Sequence, residues 1–132
     1  MMVVKKMGVD VGKDNIIVEK SYKFAVRIVI LYKYLVDEKK EFVLSKQILR
    51  SGTSIGANIN EAQSAESKLD FIHKLGISAK EIRETQYWLN LLNDTNLIDK
   101  KSFDSILKDC KELLTITNSI ILTVKRKKNE SK

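Results

Sequence analysis

Apolar residues recur every three or four positions in four stretches of the chain, a spacing typical of helices with one apolar face. The first predicted helix begins near Val18 and ends before Asp37, and its inner face consists of Phe24, Ile28, Leu31 and Leu35. A second apolar face lies beside the first and consists of Val26, Val29, Tyr32 and Val36. This is more apolar surface than one core contact requires. We therefore expect part of helix one to contact another subunit.

Helix two is predicted from about Leu44 to Ala65, with an inner face formed by Leu44, Ile48, Ser51, Ile55 and Ala62. Its middle contains Gly52 and Gly56 among other small residues, and glycine costs about 1 kcal/mol relative to alanine inside a helix. Small side chains allow a neighbouring helix to approach closely, and this packing offsets the poor helix propensity.

Helix three is predicted to begin at an N-cap formed by Ser67 with Asp70 in the first turn, and to end near residues 93–96. Its inner positions are Ile72, Leu75, Ala79, Ile82, Gln86 and Leu89. Helix four follows a cap at Asp99, and its inner positions are Phe103, Ile106, Cys110, Leu113, Thr117, Ile120 and Val124. Short connections predict an all-α fold, an antiparallel up-down-up-down four-helix bundle. We expect a loosely ordered arm over residues 1–14, the bundle over 15–125 and a basic disordered tail over 126–132.

Composition agrees with one helical domain of 132 residues, since 43% of the chain is hydrophobic and proline is absent. The single cysteine, Cys110, cannot form an intrachain disulfide, which favours a reducing compartment, and we expect the cytoplasm. No export signal is visible at the N-terminus. The most apolar run, residues 24–36, contains Arg27 and Lys33 and is shorter than a bilayer-spanning helix, so we expect no membrane association.

The formal net charge of +7 is concentrated at the two ends of the chain. Residues 1–36 contain seven basic and three acidic residues, and residues 100–132 contain nine basic and four acidic residues. Because helices one and four are neighbours in the predicted bundle, one side should be basic and attract phosphates. The candidate nucleic-acid-binding residues are Lys20, Lys23, Arg27, Arg50, Lys125, Arg126, Lys127 and Lys128. The alternative is a solvated basic surface that serves only solubility.

Catalytic, metal and cofactor sites are not indicated by the sequence. A di-metal bundle site needs two Glu-x-x-His pairs, and His73 is the only histidine. Cys110 falls at an inner position, where a thiol is inert, and the SGTSIGAN segment does not match a phosphate-binding loop. We therefore expect no catalytic residues, no bound metal, no cofactor and no enzymatic activity.

Polar residues follow one side of helix two and one side of helix three. If these two sides meet, we expect Arg50 and the glutamates to form a buried hydrogen-bonded network that sets the register of the two helices. A ligand or nucleic-acid contact by Arg50 is the alternative. The predicted network consists of Arg50, Ser54, Asn58, Glu61, Glu81 and Glu84, with Thr85 and Trp88 on the same side of helix three.

The segments FVLSKQILRSGTSIGANINEA and KEIRETQYWLNLL resemble the family of proteins encoded in 23S rRNA intervening sequences. The resemblance covers most of the chain from Asn15 to about Val124. It implies a four-helix bundle that assembles into a ring-like homopentamer, with nucleic-acid binding proposed for its basic surface. A related branch, the accessory variability proteins of diversity-generating retroelements, partners a reverse transcriptase and its RNA.

Two functional hypotheses follow. In the first, the protein is a non-enzymatic homo-oligomer that binds RNA or DNA weakly and without sequence specificity. In the second, it is a scaffold or accessory subunit that binds itself or another protein, and its charge serves solubility.

Overall fold

The structure of the protein is a computed structural model that describes the backbone of residues 11–130 and the side chains of residues 16–127. It contains four helices: α1 (Val11–Asp37), α2 (Leu44–Ala62), α3 (Lys68–Asp94) and α4 (Lys100–Glu130). Each helix packs against the next along the chain, and α4 returns to pack against α1. Over the described residues the fold is therefore the predicted antiparallel four-helix bundle, without strands.

Three predicted helix boundaries differ from those observed. α1 begins at Val11, seven residues before the predicted start, and includes residues 11–14, which we had assigned to the arm. α2 ends at Ala62, three residues before the predicted end at Ala65. α4 is helical to Glu130, so residues 126–130, which we had assigned to a disordered tail, continue the helix. The remainder of the arm, residues 1–10, and the last two residues lie outside the described residues.

The core is formed by the inner faces that the apolar spacing predicts. Ile28, Ile55, Ile82 and Leu113, one from each helix, are each at most 1% exposed. All seven predicted inner residues of α4 are buried. On α2 and α3 three positions, Leu44, Ile72 and Gln86, are only partly buried. Burial of a large aliphatic side chain contributes about 1.5–3 kcal/mol, so these shared faces stabilise the bundle.

α1 and α2 approach each other closely at the two glycines of α2. A Cβ atom added at Gly52 would lie 2.7 Å from Cγ1 of Ile28, and one added at Gly56 would lie 3.3 Å from the carbonyl oxygen of Ser21. Both distances are shorter than ordinary van der Waals contact, so α1 occupies the space that larger side chains would need. Gly52 and Gly56 are therefore explained by packing against α1.

The helix starts are capped by polar side chains. Ser67 Oγ accepts a hydrogen bond from the backbone N–H of Asp70 at 3.0 Å, and Asp99 Oδ1 accepts one from Ser102 N–H at 2.8 Å, as predicted. Glu41 caps α2 from outside the helix, because its carboxylate accepts the backbone N–H groups of Val43, Leu44 and Ser45. Partial burial raises the pKa of Glu41, but these three donors outweigh it and lower the pKa below its ordinary value.

None of the four helices, over the described part of the chain, has an apolar stretch long enough to cross a membrane.

Candidate nucleic-acid interface and polar network

The contact between α1 and α4 is bordered by ion pairs within the chain. Arg27 Nη1 lies 2.6 Å from Asp109 Oδ2, and Arg27 Nη2 donates to Ser105 Oγ at 3.1 Å. Lys20 Nζ lies 2.8 Å from Glu112 Oε1, and this hydrogen bond raises the pKa of Lys20. These two cations, which we predicted to contact phosphates, thus have carboxylate partners on the facing helix.

The remaining predicted cation of α1 also has a carboxylate partner. Lys23 Nζ lies 2.8 Å from Glu19 Oε1, one turn earlier on the same helix, and both side chains are well exposed. The hydrogen bond from Lys23 lowers the pKa of Glu19. An exposed pair of this kind contributes little to stability, so a stronger anion could displace the carboxylate at small cost.

The C-terminal end of α4 carries three consecutive exposed cations, Lys125, Arg126 and Lys127. Cys110 of α4 packs beside Ile82 of α3, with its thiol 3.7 Å from the Ile82 carbonyl oxygen. Because α3 and α4 are antiparallel, the contact between Ile82 and Cys110 places Lys68, the first residue of α3, opposite residue 124 of α4. The last six residues of α4 therefore extend about 9 Å beyond the start of α3. We call residues 125–127 the basic end of α4. The side chain of Lys128 lies outside the described residues.

Arg50 lies at the centre of the predicted polar network between α2 and α3. Its Nη1 is 3.3 Å from Glu81 Oε2, and its Nη2 donates to Glu84 Oε2. Trp88 Nε1 donates to the same Glu84 oxygen at 3.0 Å. The Arg50 side chain is 50% exposed, so the network lies at the surface of the α2–α3 contact and is not buried as we expected. Arg50 is therefore the fourth predicted cation with a carboxylate partner in the chain.

The other predicted network members do not join this cluster. Ser54 donates to the carbonyl oxygen of Arg50, and Asn58 donates to the carbonyl oxygen of Ser54, so both bonds lie within α2. Glu61 lies 3.7 Å from Nζ of Lys74 on α3. Ser54 and Asn58 thus make hydrogen bonds only within α2, and Glu61 forms a separate ion pair with α3. Helical spacing predicted that these residues share one side of α2, but it did not predict these separate contacts.

Sequence reasoning missed the acidic partners on α4 and two buried hydrogen bonds between α2 and α3. Asp109 and Glu112 flank the inner positions of α4, where charged residues commonly pair between helices, and this flanking position was the available signal. The hydroxyl groups of Ser51 and Thr85 lie 2.9 Å apart in the buried α2–α3 contact. Ser78 Oγ donates to the Ile55 carbonyl oxygen at 2.9 Å in the same contact.

Cys110 and His73 lie in different surroundings in the bundle. Burial raises the pKa of the Cys110 thiol to about 12, and the nearby Asp109 carboxylate adds to this effect, so the thiolate form is rare at neutral pH. His73 is exposed, and no group of three potential metal-ligating side chains occurs within the described part of the chain.

The geometry defines an antiparallel four-helix-bundle protein with ion-paired helix contacts and a basic end. A family model for the 23S rRNA-intervening sequence protein matches residues 13–119. The chain therefore belongs to this family, which confirms the resemblance inferred from its motifs. It is also similar to a protein of unknown function from the S23 ribosomal protein family of Bacteroides thetaiotaomicron VPI-5482, whose crystal structure is known. The two are 59% identical with a TM-score of 0.82, and the match covers 83% of this chain and 97% of the other. No curated protein matches the chain.

Proposed function

We propose that the protein is a non-enzymatic homo-oligomer that binds RNA or DNA weakly and without sequence specificity, and that the basic end of α4 provides the main phosphate contacts. The exposed run of Lys125, Arg126 and Lys127 is the observation that carries this proposal. Clustered cations attract nucleic acid because each neutralised phosphate releases condensed counterions. The family name associates such proteins with 23S rRNA genes, and this association agrees with the proposal without defining a ligand.

The ion pairs within the bundle reduce the number of cations that are available to bind phosphate. Lys20 and Arg27 contact Glu112 and Asp109, so a phosphate at these positions would have to displace a carboxylate or share the cation with it. Arg50 faces two carboxylates, and the cluster with Glu81 and Glu84 has a formal charge of −1, which repels phosphate. We therefore assign Lys20, Lys23 and Arg27 a secondary role and Arg50 a structural one.

Self-association is proposed because large apolar side chains remain exposed on α1. Tyr22 is 71% exposed and Ile30 is 62% exposed. Pentameric assembly is the size that the family resemblance implies, and the mass of the purified protein tests it. The cytoplasm remains our expectation for its location.

A second function is favoured by the same exposed apolar surface. If Lys20 and Arg27 of α1 serve only to pair with α4, the protein acts as a scaffold or accessory subunit without nucleic-acid binding. The Lys20–Glu112 and Arg27–Asp109 pairs favour this alternative, since they explain two predicted phosphate-binding residues as bundle contacts.

A binding titration separates the two functions. The protein is titrated with single-stranded RNA, duplex RNA and duplex DNA at several salt concentrations. Under the nucleic-acid hypothesis the logarithm of affinity falls linearly with the logarithm of salt concentration, with a slope of about −0.9 per contacted phosphate on duplex DNA. No binding at low salt would reject the hypothesis and favour the scaffold.

A matched pair of variants locates the interface. The first variant, K125S/R126S/K127S, removes the basic end of α4, and we expect it to reduce the salt slope by about two to three phosphate contacts. The control, K101S/K108S/K111S, removes the same charge from exposed positions elsewhere on α4. Equal losses in the two variants would show that net charge, and not the basic end, determines binding.

A further inference from the structure

The basic end of α4 belongs to a helical segment that projects beyond its neighbours. The last six residues of α4 extend about 9 Å past the start of α3, as the contact between Ile82 and Cys110 shows. The two ion pairs between α1 and α4 give a similar register, because they place Val11, where α1 begins, opposite residues 121–125. α4 therefore continues past the helical starts of both α1 and α3.

The three cations of the basic end point to different sides of this projecting helix. Successive residues of an α-helix are about 100° apart, so Lys125, Arg126 and Lys127 together cover about 200° of its circumference. All three side chains are exposed. A single strand lies on one side of a helix and meets only part of such an arc. The walls of a groove lie on two sides, and in a duplex both walls carry phosphates.

The dimensions of the projecting helix match one groove of nucleic acid. An α-helix with its side chains is about 10–12 Å across, and the major groove of B-DNA is about 12 Å wide and about 8.5 Å deep. The projection of about 9 Å is close to this depth, so the helix end reaches the floor before the neighbouring helices meet the phosphates. The minor groove of B-DNA, about 6 Å wide, is too narrow for a helix. In duplex RNA the major groove is also too narrow, and the minor groove is shallow.

The distribution of aromatic residues also favours a duplex over a single strand. Proteins that bind single strands commonly stack the bases on aromatic side chains. No aromatic residue follows Phe103 in the sequence. The exposed Tyr87 of α3 lies opposite residue 105 of α4, about 30 Å from the basic end. The cations of the basic end thus have no stacking platform beside them on α4.

We propose that the basic end of α4 enters the major groove of duplex DNA end-on, with Lys125 and Lys127 directed to phosphates of opposite walls. Duplex DNA is then the preferred ligand, ahead of duplex RNA and of single strands. The contacts are to phosphates, which carry no sequence information, so binding does not depend on base sequence. The inference rests on the proposed nucleic-acid binding and specifies its ligand. It concerns a single chain and applies equally to each copy of a homopentamer.

A comparison of three ligands tests the preference. The affinity for duplex DNA is measured at low salt against that for duplex RNA and for single-stranded DNA of the same length and matching sequence. We expect duplex DNA to bind roughly tenfold more tightly than either, because only its major groove admits the helix between two phosphate walls. Equal affinity for the two duplexes, or tighter binding of the single strand, would overturn the inference.

Obstruction of the major groove provides a test in which the phosphates are unchanged. Duplex DNA that contains glucosylated hydroxymethylcytosine has bulky sugars in its major groove and the same backbone charge as the unmodified duplex. We expect the modified duplex to lose the advantage over duplex RNA. Unchanged affinity would show that the phosphates are contacted from outside the groove, and it would overturn the inference.

A variant of unchanged net charge tests the arrangement of the cations. L122K/K125S/K127S/N129K places its new cations on the side of Arg126, because positions 122, 126 and 129 share an arc of about 60°. Leu122 is exposed, so its replacement should not disturb the core, and circular dichroism checks helicity. We expect single-strand affinity to stay within about twofold and the preference for duplex DNA to be lost. A retained preference would overturn the groove contact.

The outcomes separate this inference from the function on which it rests. No binding to any of the three ligands at low salt would overturn both. Binding without a preference for duplex DNA, if K125S/R126S/K127S removes it, would overturn only the groove contact and leave the proposed function intact.

Discussion

α1 is held in two different ways by its two neighbours. On one side, Gly52 and Gly56 of α2 allow close contact with Ile28 and the backbone near Ser21. On the other side, α4 contacts α1 across ion pairs. Close packing depends on shape and tolerates no added atom, whereas exposed ion pairs depend on charge and are screened by salt. The α1–α2 contact should therefore be sensitive to volume and the α1–α4 contact to ionic strength.

The largest expected effect is on the close contact with α2. In Gly52→Ala the new Cβ lies 2.7–3.0 Å from three side-chain atoms of the β-branched Ile28, and we expect the free energy of unfolding to fall by about 1–3 kcal/mol. The control is Gly76→Ala, where no atom lies within 4 Å of the added Cβ and higher helix propensity should stabilise by about 0.5–1 kcal/mol. Chemical denaturation measures both.

A double-mutant cycle tests whether Ile28 is the cause. In an Ile28→Ala background the added methyl group of Gly52→Ala finds space, and the substitution should become neutral or stabilising. If Gly52→Ala is equally destabilising in both backgrounds, then close approach of Ile28 is not what requires glycine at this position.

The second effect concerns the charge cluster between α2 and α3. Arg50→Leu removes the partner of Glu81, whose side chain is only 19% exposed, and should destabilise by about 1–2 kcal/mol at neutral pH. The triple variant R50L/E81Q/E84Q removes the unpaired charges as well and should recover most of the loss. Thermal unfolding of the three proteins checks this, and no recovery would mean that Arg50 acts through its packing instead.

A smaller effect is expected at the ion pairs with α4. Arg27→Leu should cost about 0.5–1 kcal/mol at low ionic strength, because both partners of the pair are partly exposed. The difference from the native protein should become smaller at 1 M salt, where the screening length falls to about 3 Å. Denaturation at both salt concentrations measures the difference in the free energy of unfolding between Arg27→Leu and the native protein. Gly52→Ala is the control, because its effect should not depend on salt.

The smallest effect lies in the connection between α1 and α2. The pKa of Glu41 is lowered in the folded protein from its ordinary value of 4.5, so its capping contribution is complete above that value and is lost as the pH falls through the lowered pKa. Glu41→Gln should therefore cost about 0.5 kcal/mol at pH 7 and nothing at pH 2. The stability difference between the two proteins is measured from pH 7 to pH 2; a constant difference would exclude charge as the source of the cap.

Much of the fold could be predicted because helical periodicity is a local property. The four inner faces, the caps at Ser67 and Asp99 and the neighbour relation between α1 and α4 all follow from spacing and connection length. The helix ends were less predictable: the sequence pattern weakens before Asn15, although the helix begins at Val11. Helix ends depend on contacts with other elements as much as on local propensity.

The sequence predicted which residues belong to the candidate site, but it did not predict all of the ion pairs that they form. Arg50, Glu81 and Glu84 were assigned to one network from their spacing, and they are in contact. Asp109 and Glu112 were not recognised as partners of Arg27 and Lys20, because a pair across two helices depends on their relative register and rotation. Counting charges by segment therefore overestimated how much positive charge along α1 is available to a ligand.

The amino-acid sequence by itself determined which residues form helices, which faces of those helices are apolar and where the excess positive charge lies along the chain. These properties follow from the intrinsic preferences and the spacing of neighbouring residues. Only the tertiary structure decided that Gly52 meets Ile28, that Arg50 faces two carboxylates and that Lys20 and Arg27 pair with carboxylates of α4. Such contacts join residues far apart in the chain, and they arise only when packing of the whole core sets the relative positions of the helices.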